Sequence, residues 1–386
     1  MPSRPSKLLE LLESASSRVI LSKASQEVGL AETLPFPFLA IVGQLELKTA
    51  LLLGLINPRI GGILLIGPRG TGKTTAVRSL SDLLPMVPRS LCPYGCTEEA
   101  VQDGGMDAVC PNCATRYGYG EALTALDRVR MIELPLNARL EDVVGGINER
   151  IAIEQQRVRL EQGILAHADQ NILYVDEVNL LDDTIVNAIL DAAAQGRYTV
   201  RRGPLRLVYR SRLTLIGSMN PEEGKLRPQI MDRFGLRVIV SGIEDSAQRM
   251  EIYRHARAYL ENPHAMTAEW AEEIQLAAAE IDRARKLLPK VQLAPAAAQV
   301  GLDLIRQLQV DSHRAEFTLF EAARAHAAAD GRAVATLADL NKVTAMSLRL
   351  RRSAFMRSFI EEQAKEEREI QVALRALVGK QERDEK

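Results

Sequence analysis

Five short apolar runs stand out along the chain: GILLIG at 62–67, RMIEL at 130–134, ILYVD at 172–176, LTLIG at 213–217 and LRVIV at 236–240. Segments of helical periodicity separate them. Apolar runs without strict alternation are the mark of strands covered on both faces, so the pattern predicts an α/β fold with a parallel sheet flanked by helices. After about Asp245 the strand signals stop. Ala, Leu, Arg and Glu then recur at helical spacing, as in EAARAHAAA at 321–329, and an all-helical domain is expected to follow the sheet.

The same reading divides the rest of the chain. Leu8, Leu9, Leu12, Val19 and Leu21 predict a helical amino-terminal extension over 1–31. A Pro-rich break at 34–38 precedes a helix-like run from Gln44 to Ile56, closed by Asn57-Pro58 and Gly61-Gly62. The expected units are therefore the extension (1–31), a core (32–244) with a Cys-rich insert (86–120), the helical domain (245–352) and a charged carboxy-terminal helix (353–386).

Composition narrows the function. With 49 Lys plus Arg against 50 Asp plus Glu, the net charge of -1 argues against a protein that coats nucleic acid. No run approaches the 18 or so apolar residues of a membrane span, and charges are scattered through the first 18 residues, so a cytoplasmic location is expected. All four Cys fall between positions 92 and 113, which is not the spread of a disulfide scaffold.

The chemistry begins at Gly67-Pro-Arg-Gly70-Thr-Gly72-Lys73-Thr74, a GxxxxGK[ST] phosphate loop that follows an apolar strand and opens a helical run. Its glycines let backbone N–H groups wrap phosphates, Lys73 reaches the terminal ones, and Thr74 is placed to hold Mg²⁺. Thr75 completes the expected nucleotide-binding set with Gly67, Gly70, Gly72, Lys73, Thr74 and Asp176. The run ILYV ends in Asp176-Glu177, the first placed to hold Mg²⁺ with Thr74 and the second to orient and activate the attacking water. A structural role as a helix cap is the competing reading. Ser218-Met219-Asn220-Pro221 puts Asn220 at a strand end, where it can reach the γ-phosphate or the water. Arg233, in Met231-Asp-Arg-Phe234, cannot easily reach its own phosphates but can reach a neighbour's as an arginine finger; the plain alternative is an ion pair.

The segments PFLAIVGQLELKTALLLGLINPRIGGILLIGPRGTGKTTAVRSL (37–80), ILYVDEVNLLDD (172–183) and IGSMNPEEGKLRPQIMDRFGL (216–236) resemble the magnesium chelatase subunit I family of AAA+ ATPases. That resemblance implies a P-loop core followed by a helical lid, ATP and Mg²⁺ as cofactors, and a homo-oligomeric ring, commonly hexameric, with ATP sites between subunits. It also implies that ATP hydrolysis drives Mg²⁺ insertion into protoporphyrin IX on a separate large catalytic subunit, helped by an adaptor subunit. In that family a lid arginine senses nucleotide, and His313-Arg314-Ala-Glu-Phe-Thr318 resembles its segment, which assigns the role to Arg314. The competing readings are the same motor serving a cobalt chelatase, a MoxR-like remodelling ATPase that matures metalloenzymes, and a nucleic-acid motor, which the net charge disfavours.

Two features stand apart. Cys92-Pro-Tyr-Gly-Cys96 and Cys110-Pro-Asn-Cys113 lie in a stretch rich in Gly, Pro and Asp, and a tetrahedral Cys₄ zinc site is expected to staple it. Four reduced, unliganded thiols are the alternative. Residues 197–212 hold six Arg (197, 201, 202, 206, 210 and 212) and no acid around Gly203-Pro204, which predicts a basic hairpin facing a partner, with a merely solvated hairpin as the alternative. A further hairpin with a helix is expected over 141–166.

Overall fold

The computed structural model describes residues 34–146, 161–202 and 205–352, and the described residues from Phe36 onward form one compact unit. The expected extension at 1–31, the charged helix at 353–386 and most of the hairpin and helix at 141–166 lie outside the described residues, as does the tip of the basic hairpin.

In chain order the core strands are β1 (Ile63–Ile66), β2 (Met86–Ser90), β3 (Thr124–Arg128), β4 (Met131–Leu134), β5 (Ile172–Val175), β6 (Arg197–Arg202), β7 (Leu205–Arg210), β8 (Thr214–Met219) and β9 (Leu236–Ile239). Five of them form one sheet in the order β4-β5-β8-β1-β9, every neighbouring pair parallel. β1 lies between β8 and the edge strand β9, with Ile63 opposite Ile216 on one side and Leu236 on the other.

Alternate residues of β1 show why these strands read as unbroken apolar runs. Ile63 and Leu65 pack with Leu47 and Leu51 of the helix Leu45–Ile56, whereas Leu64 and Ile66 pack with Ile185 and Ile189 of the helix Asp183–Gln195. Both faces are covered, so neither can be polar. All five sheet strands point the same way, and loops leaving their carboxyl ends gather on one edge, where ligands bind in open α/β sheets.

Two excursions leave the core. β2 and β3 pair antiparallel and bracket the cysteine segment, whose helices Glu98–Gly104 and Pro111–Gly118 close on a small cluster of Cys96, Val101, Cys113 and Leu123. β6 and β7 form the basic hairpin, with Arg201 opposite Arg206.

From Ser246 the chain is helical: Ser246–Glu261, Pro263–Glu269, Ala271–Leu287, Pro295–Gln307, Arg314–Ala329 and Leu337–Leu348. The departure from an all-helical lid is a parallel pairing two residues long, Gln292–Leu293 with Val334–Ala335, made where extended chain enters helix starts. Ala315, Ala322, Ala323, Ala325 and Ala327 are fully buried; their small side chains let Arg314–Ala329 sit at the centre of the lid. That packing is continuous with the Leu45–Ile56 side of the sheet. The Asn57 amide donates to Glu321 Oε2 at 2.8 Å, so the lid is fastened to the segment that enters β1. Among the described residues no helix is long and apolar enough to cross a membrane.

Candidate active site

The phosphate loop leaves the carboxyl end of β1 and turns into the helix Lys73–Arg78, with Thr74 and Thr75 in its first turn. Gly72 takes φ 84°, a left-handed conformation that favours glycine, and a Cβ on Gly67 would lie 2.0 Å from the Val240 carbonyl oxygen. Lys73 Nζ donates to the carbonyls of Gly67 and Pro68 at 2.7 Å each. Burial lowers its pKa, and Asp176, Glu223 and Glu177 pull the other way, so the ammonium sits among three carboxylates.

Asp176 follows β5 and is held by hydroxyls. Tyr174 donates to its Oδ1 at 2.8 Å and Ser218 donates to the same oxygen, while Thr74 Oγ1 donates to Oδ2 at 3.2 Å. Both groups expected to hold Mg²⁺ therefore face one another. The Tyr174 hydroxyl also lies 3.2 Å from Thr74 Oγ1, and burial pushes its pKa up, which keeps it a donor. Ser218 in turn accepts from the Glu177 amide at 3.1 Å, tying the second carboxylate's backbone to the first carboxylate's side chain.

Glu177 adopts φ 49°, a strained left-handed backbone for a residue with a side chain. Its carboxylate lies 3.4 Å from Arg69 Nη2, and Arg69 Nε also pairs with Glu223. Asn220, at the end of β8, donates through Nδ2 to Glu223 Oε1 at 3.0 Å. That hydrogen bond, with Arg69, holds the Glu223 carboxyl below its usual range. Of the residues expected from the sequence, Lys73, Thr74, Asp176, Glu177 and Asn220 come together here; Arg69, Tyr174, Ser218 and Glu223, which were given no role, join them. Tyr174 carried a legible signal, because a hydroxyl two residues before Asp176 on a strand shares its face.

Arg233 and Arg314 lie at the other edge. Gly235 N bonds Gly61 O at 3.1 Å and Leu236 N bonds Gly62 O at 3.0 Å, so the Arg233 turn sits where β1 begins. The phosphate loop sits where it ends, about 13 Å further along at strand rise. Arg233 pairs with Asp191 at 2.5 Å and Arg314 with Asp232 at 3.6 Å. Together with Arg59, Leu190, His313 and Phe317 they line a cavity of about 870 Å³.

The four cysteines converge. Their Sγ atoms all lie within 4.8 Å of one another, Cys92 and Cys110 at 3.6 Å. Burial pushes the Cys96 thiol up to about 11 and Cys113 higher still. For Cys110 burial works upward too but is outweighed by hydrogen bonds from the Cys113 backbone and thiol, which leave it lowered.

The basic hairpin offers a smaller patch than its composition suggested. Arg210 turns inward to Thr97 Oγ1 at 3.4 Å and the Ala108 carbonyl at 3.1 Å, and Arg212 pairs with Asp169 at 3.0 Å. Arg197, Arg201 and Arg206 remain exposed. Tyr94 of the cysteine insert stacks on Tyr209, which stacks on Tyr198, centroids 5.6 Å apart in each case.

A phosphate loop at the carboxyl edge of a parallel sheet, acids after a strand one removed from it across β8, and a helical lid define a P-loop ATPase of the AAA class. Residues 302–371 match the AAA lid domain family. An ATPase structure from Cytophaga hutchinsonii has the same fold, with a TM-score of 0.51 and 17% identity over 81% of this chain and 84% of that one. The magnesium-chelatase subunit ChlI homolog of Methanocaldococcus jannaschii is 40% identical over 323 residues, 83% of this chain and 87% of that protein. The magnesium-chelatase 38 kDa subunit of Acidiphilium rubrum is 40% identical over 318 residues, 82% of this chain and 90% of that one. A structure of the complex between subunits BchI and BchD of magnesium chelatase contains a chain 38% identical over 83% of this one and 98% of its own length, at a TM-score of 0.45. The chain belongs to the magnesium chelatase subunit I family.

Proposed function

We propose that this protein is the ATP-hydrolysing motor of a magnesium-porphyrin chelatase, working in the cytoplasm as a homo-oligomeric, hexameric ring beside an adaptor and a large catalytic subunit. Hydrolysis drives Mg²⁺ insertion into protoporphyrin IX, which binds the catalytic subunit and not the motor, in a step of chlorophyll or bacteriochlorophyll synthesis. The relatives reported above favour this over cobalt insertion or general remodelling.

The observation that carries the mechanism is the division of the site between two edges of one sheet. At the carboxyl edge the loop amides and Lys73 bind the phosphates of ATP, and Lys73 leaves the Gly67 and Pro68 carbonyls to do so. The facing oxygens of Thr74 and Asp176 fit an octahedral, oxygen-seeking Mg²⁺, which neutralises phosphate charge when bound. Glu177 orients the attacking water and takes its proton as the terminal phosphate leaves, and Asn220 borders the same space. At the opposite edge Arg233 and Arg314 are too far away to serve their own phosphates. In a ring they meet the neighbour's, where guanidinium charge stabilises the transition state.

The four cysteines hold structural zinc. A tetrahedral site with Zn–S bonds near 2.3 Å separates its sulfurs by about 3.8 Å; the cluster, with all sulfurs within 4.8 Å of one another and Cys92 and Cys110 at 3.6 Å, suits that ion. Arg197, Arg201 and Arg206 form the surface that docks an acidic segment of the adaptor. The test of the whole reading is reconstitution with adaptor and catalytic subunits: ATP-dependent Mg-porphyrin fluorescence is expected. Its absence, with all three proteins folded and this one hydrolysing ATP, overturns the assignment of client.

A further inference from the structure

The turn that carries Arg233 is gripped from behind by the lid. Arg351, just beyond the helix Leu337–Leu348, has a fully buried guanidinium. Its Nη1 donates to Asp232 Oδ1 at 2.9 Å and to the Asp232 carbonyl at 3.4 Å; its Nη2 donates to the carbonyls of Gly235 at 2.9 Å and Phe234 at 3.3 Å; its Nε donates to Ser347 O at 2.6 Å. All five N–H groups of the fork are engaged, and the acceptors at 232, 234 and 235 lie on both sides of Arg233.

A second buried guanidinium repeats the arrangement one step along. Arg237 donates through Nε and Nη2 to Met231 O at 3.1 and 2.7 Å, and through Nη1 to Arg349 O at 2.8 Å. Arg349 donates back to Arg237 O at 3.0 Å. Asp232 joins the system to the other arginine of the split site: Ser312 donates to its Oδ2 at 2.7 Å, and Arg314 approaches the same oxygen at 3.6 Å.

Burying two cations this close is costly. Burial lowers the pKa of Arg351, and burial together with the Arg351 charge pushes Arg237 down to about 10. Apolar residues would attach a lid to a sheet more cheaply, and here they already do, through the cluster continuous from Leu47 to Leu340. What the two guanidiniums add is direction: besides acceptors in the lid and at Arg349, they bond the Asp232 carboxylate and the backbone carbonyls of Met231, Asp232, Phe234 and Gly235, the turn that carries Arg233.

We infer that Arg351 is a positioning residue for Arg233, fixing the finger turn to the lid so that Arg233 and Arg314 approach a neighbouring nucleotide as one body. This rests on the split-site reading above. The sensitive variant is Arg351→Lys, which keeps the charge but has three donors on a point ammonium and cannot span the carbonyls of a planar fork. Asp232→Asn is the second variant; it keeps the shape and weakens the grip from the other side.

Both variants should bind ATP with unchanged KM, because the phosphate loop lies at the other edge, while kcat falls on the order of tenfold or more through misplacement of a group that acts at a distance. Three mixtures separate this from general damage. Arg233→Ala mixed with Glu177→Gln regains turnover if the site is split, since a mixed ring contains interfaces with both groups intact. Arg351→Lys mixed with Glu177→Gln should regain it equally, and Arg351→Lys mixed with Arg233→Ala should not. If the first mixture recovers and the second does not, or if Arg351→Lys keeps wild-type kcat, the positioning role is wrong. If the first mixture fails although mixed rings form, the split-site reading falls and takes this inference with it. Should Arg351→Lys fail to fold, Asp232→Asn goes through the same mixtures and decides the matter.

Discussion

Tyr174 donates its hydroxyl to Asp176 Oδ1 at 2.8 Å from the same face of β5, two residues upstream. Ser218 supplies a second donor to that oxygen, leaving Oδ2 directed at Thr74. Tyr174→Phe removes the hydroxyl that bonds Asp176 and contacts Thr74, and little volume. A bond of this kind to a charged acceptor is worth about 1.5 kcal/mol or more. The Mg²⁺ concentration for half-maximal ATPase activity should therefore rise roughly tenfold, with affinity for metal-free nucleotide unchanged. Superimposable Mg²⁺ titrations would show that the phenol only fills space.

The proposed docking role of the hairpin can be tested apart from catalysis. Arg201→Glu with Arg206→Glu leaves Lys73, Asp176 and Glu177 untouched, so basal ATPase activity should survive. Adaptor binding and metal insertion should weaken, and the difference from wild type should shrink at high salt as screening weakens the wild-type attraction. Normal chelation by the double variant would remove this surface from the docking assignment. Loss of salt-dependent DNA binding instead would favour a nucleic-acid client.

Metal content tests the cysteines directly. Freshly reduced protein purified without chelator should carry about one zinc per chain. Cys110→Ser should lose the metal and with it the hydrogen-exchange protection of residues 86–128. Elemental analysis that finds no metal in the wild type sinks the zinc reading. Because Tyr94 stacks on Tyr209 and Arg210 bonds Thr97 and Ala108, metal loss should also raise exchange in β6 and β7.

The lid has its own electrostatic anchor. Asp339 is fully buried and accepts from Arg332 Nη1 at 2.7 Å, the Thr336 amide at 2.8 Å and His326 Nδ1 at 2.8 Å. Burial alone would raise its pKa, but Arg332, the Thr336 amide and His326 hold it well below the ordinary carboxylate range. A depressed folded-state pKa means that the native protein binds fewer protons than the unfolded chain. The stabilisation is complete above the unfolded value near pH 4 and is lost as pH falls through the folded one. Asp339→Asn should cost about 3 kcal/mol at pH 7, and denaturant melts should show the gap from wild type closing below about pH 4. A gap independent of pH would mean that shape, not charge, matters there.

Strands β1 and β5 were the most legible because double-sided burial leaves no polar position to blur the run; ILLI and ILYV are buried throughout. The phosphate loop, Asp176 and Glu177 were legible because their spacing is fixed by local geometry. Ser218 and Glu223 flank Asn220 in residues already singled out, yet only tertiary pairing with Asp176 and Arg69 reveals what they touch. Arg351 was the least visible. It follows Arg349 in a basic run that reads as solvated, and only the fold turns it inward against residues 232–235. The opposite error befell Arg210 and Arg212, which composition assigned to a partner surface and packing assigns to Thr97, Ala108 and Asp169.

On the proposed split site, with Lys73 where β1 ends and Arg233 beside its start, each subunit would present two unlike faces, an acceptor and a donor. Association is then polar, head to tail, and a symmetric two-fold pair completes no site at all. A polar pair completes one and leaves a lone donor at one end and a lone acceptor at the other. Only closure gives every nucleotide a donor, so specific activity should climb with protein concentration until no free ends remain.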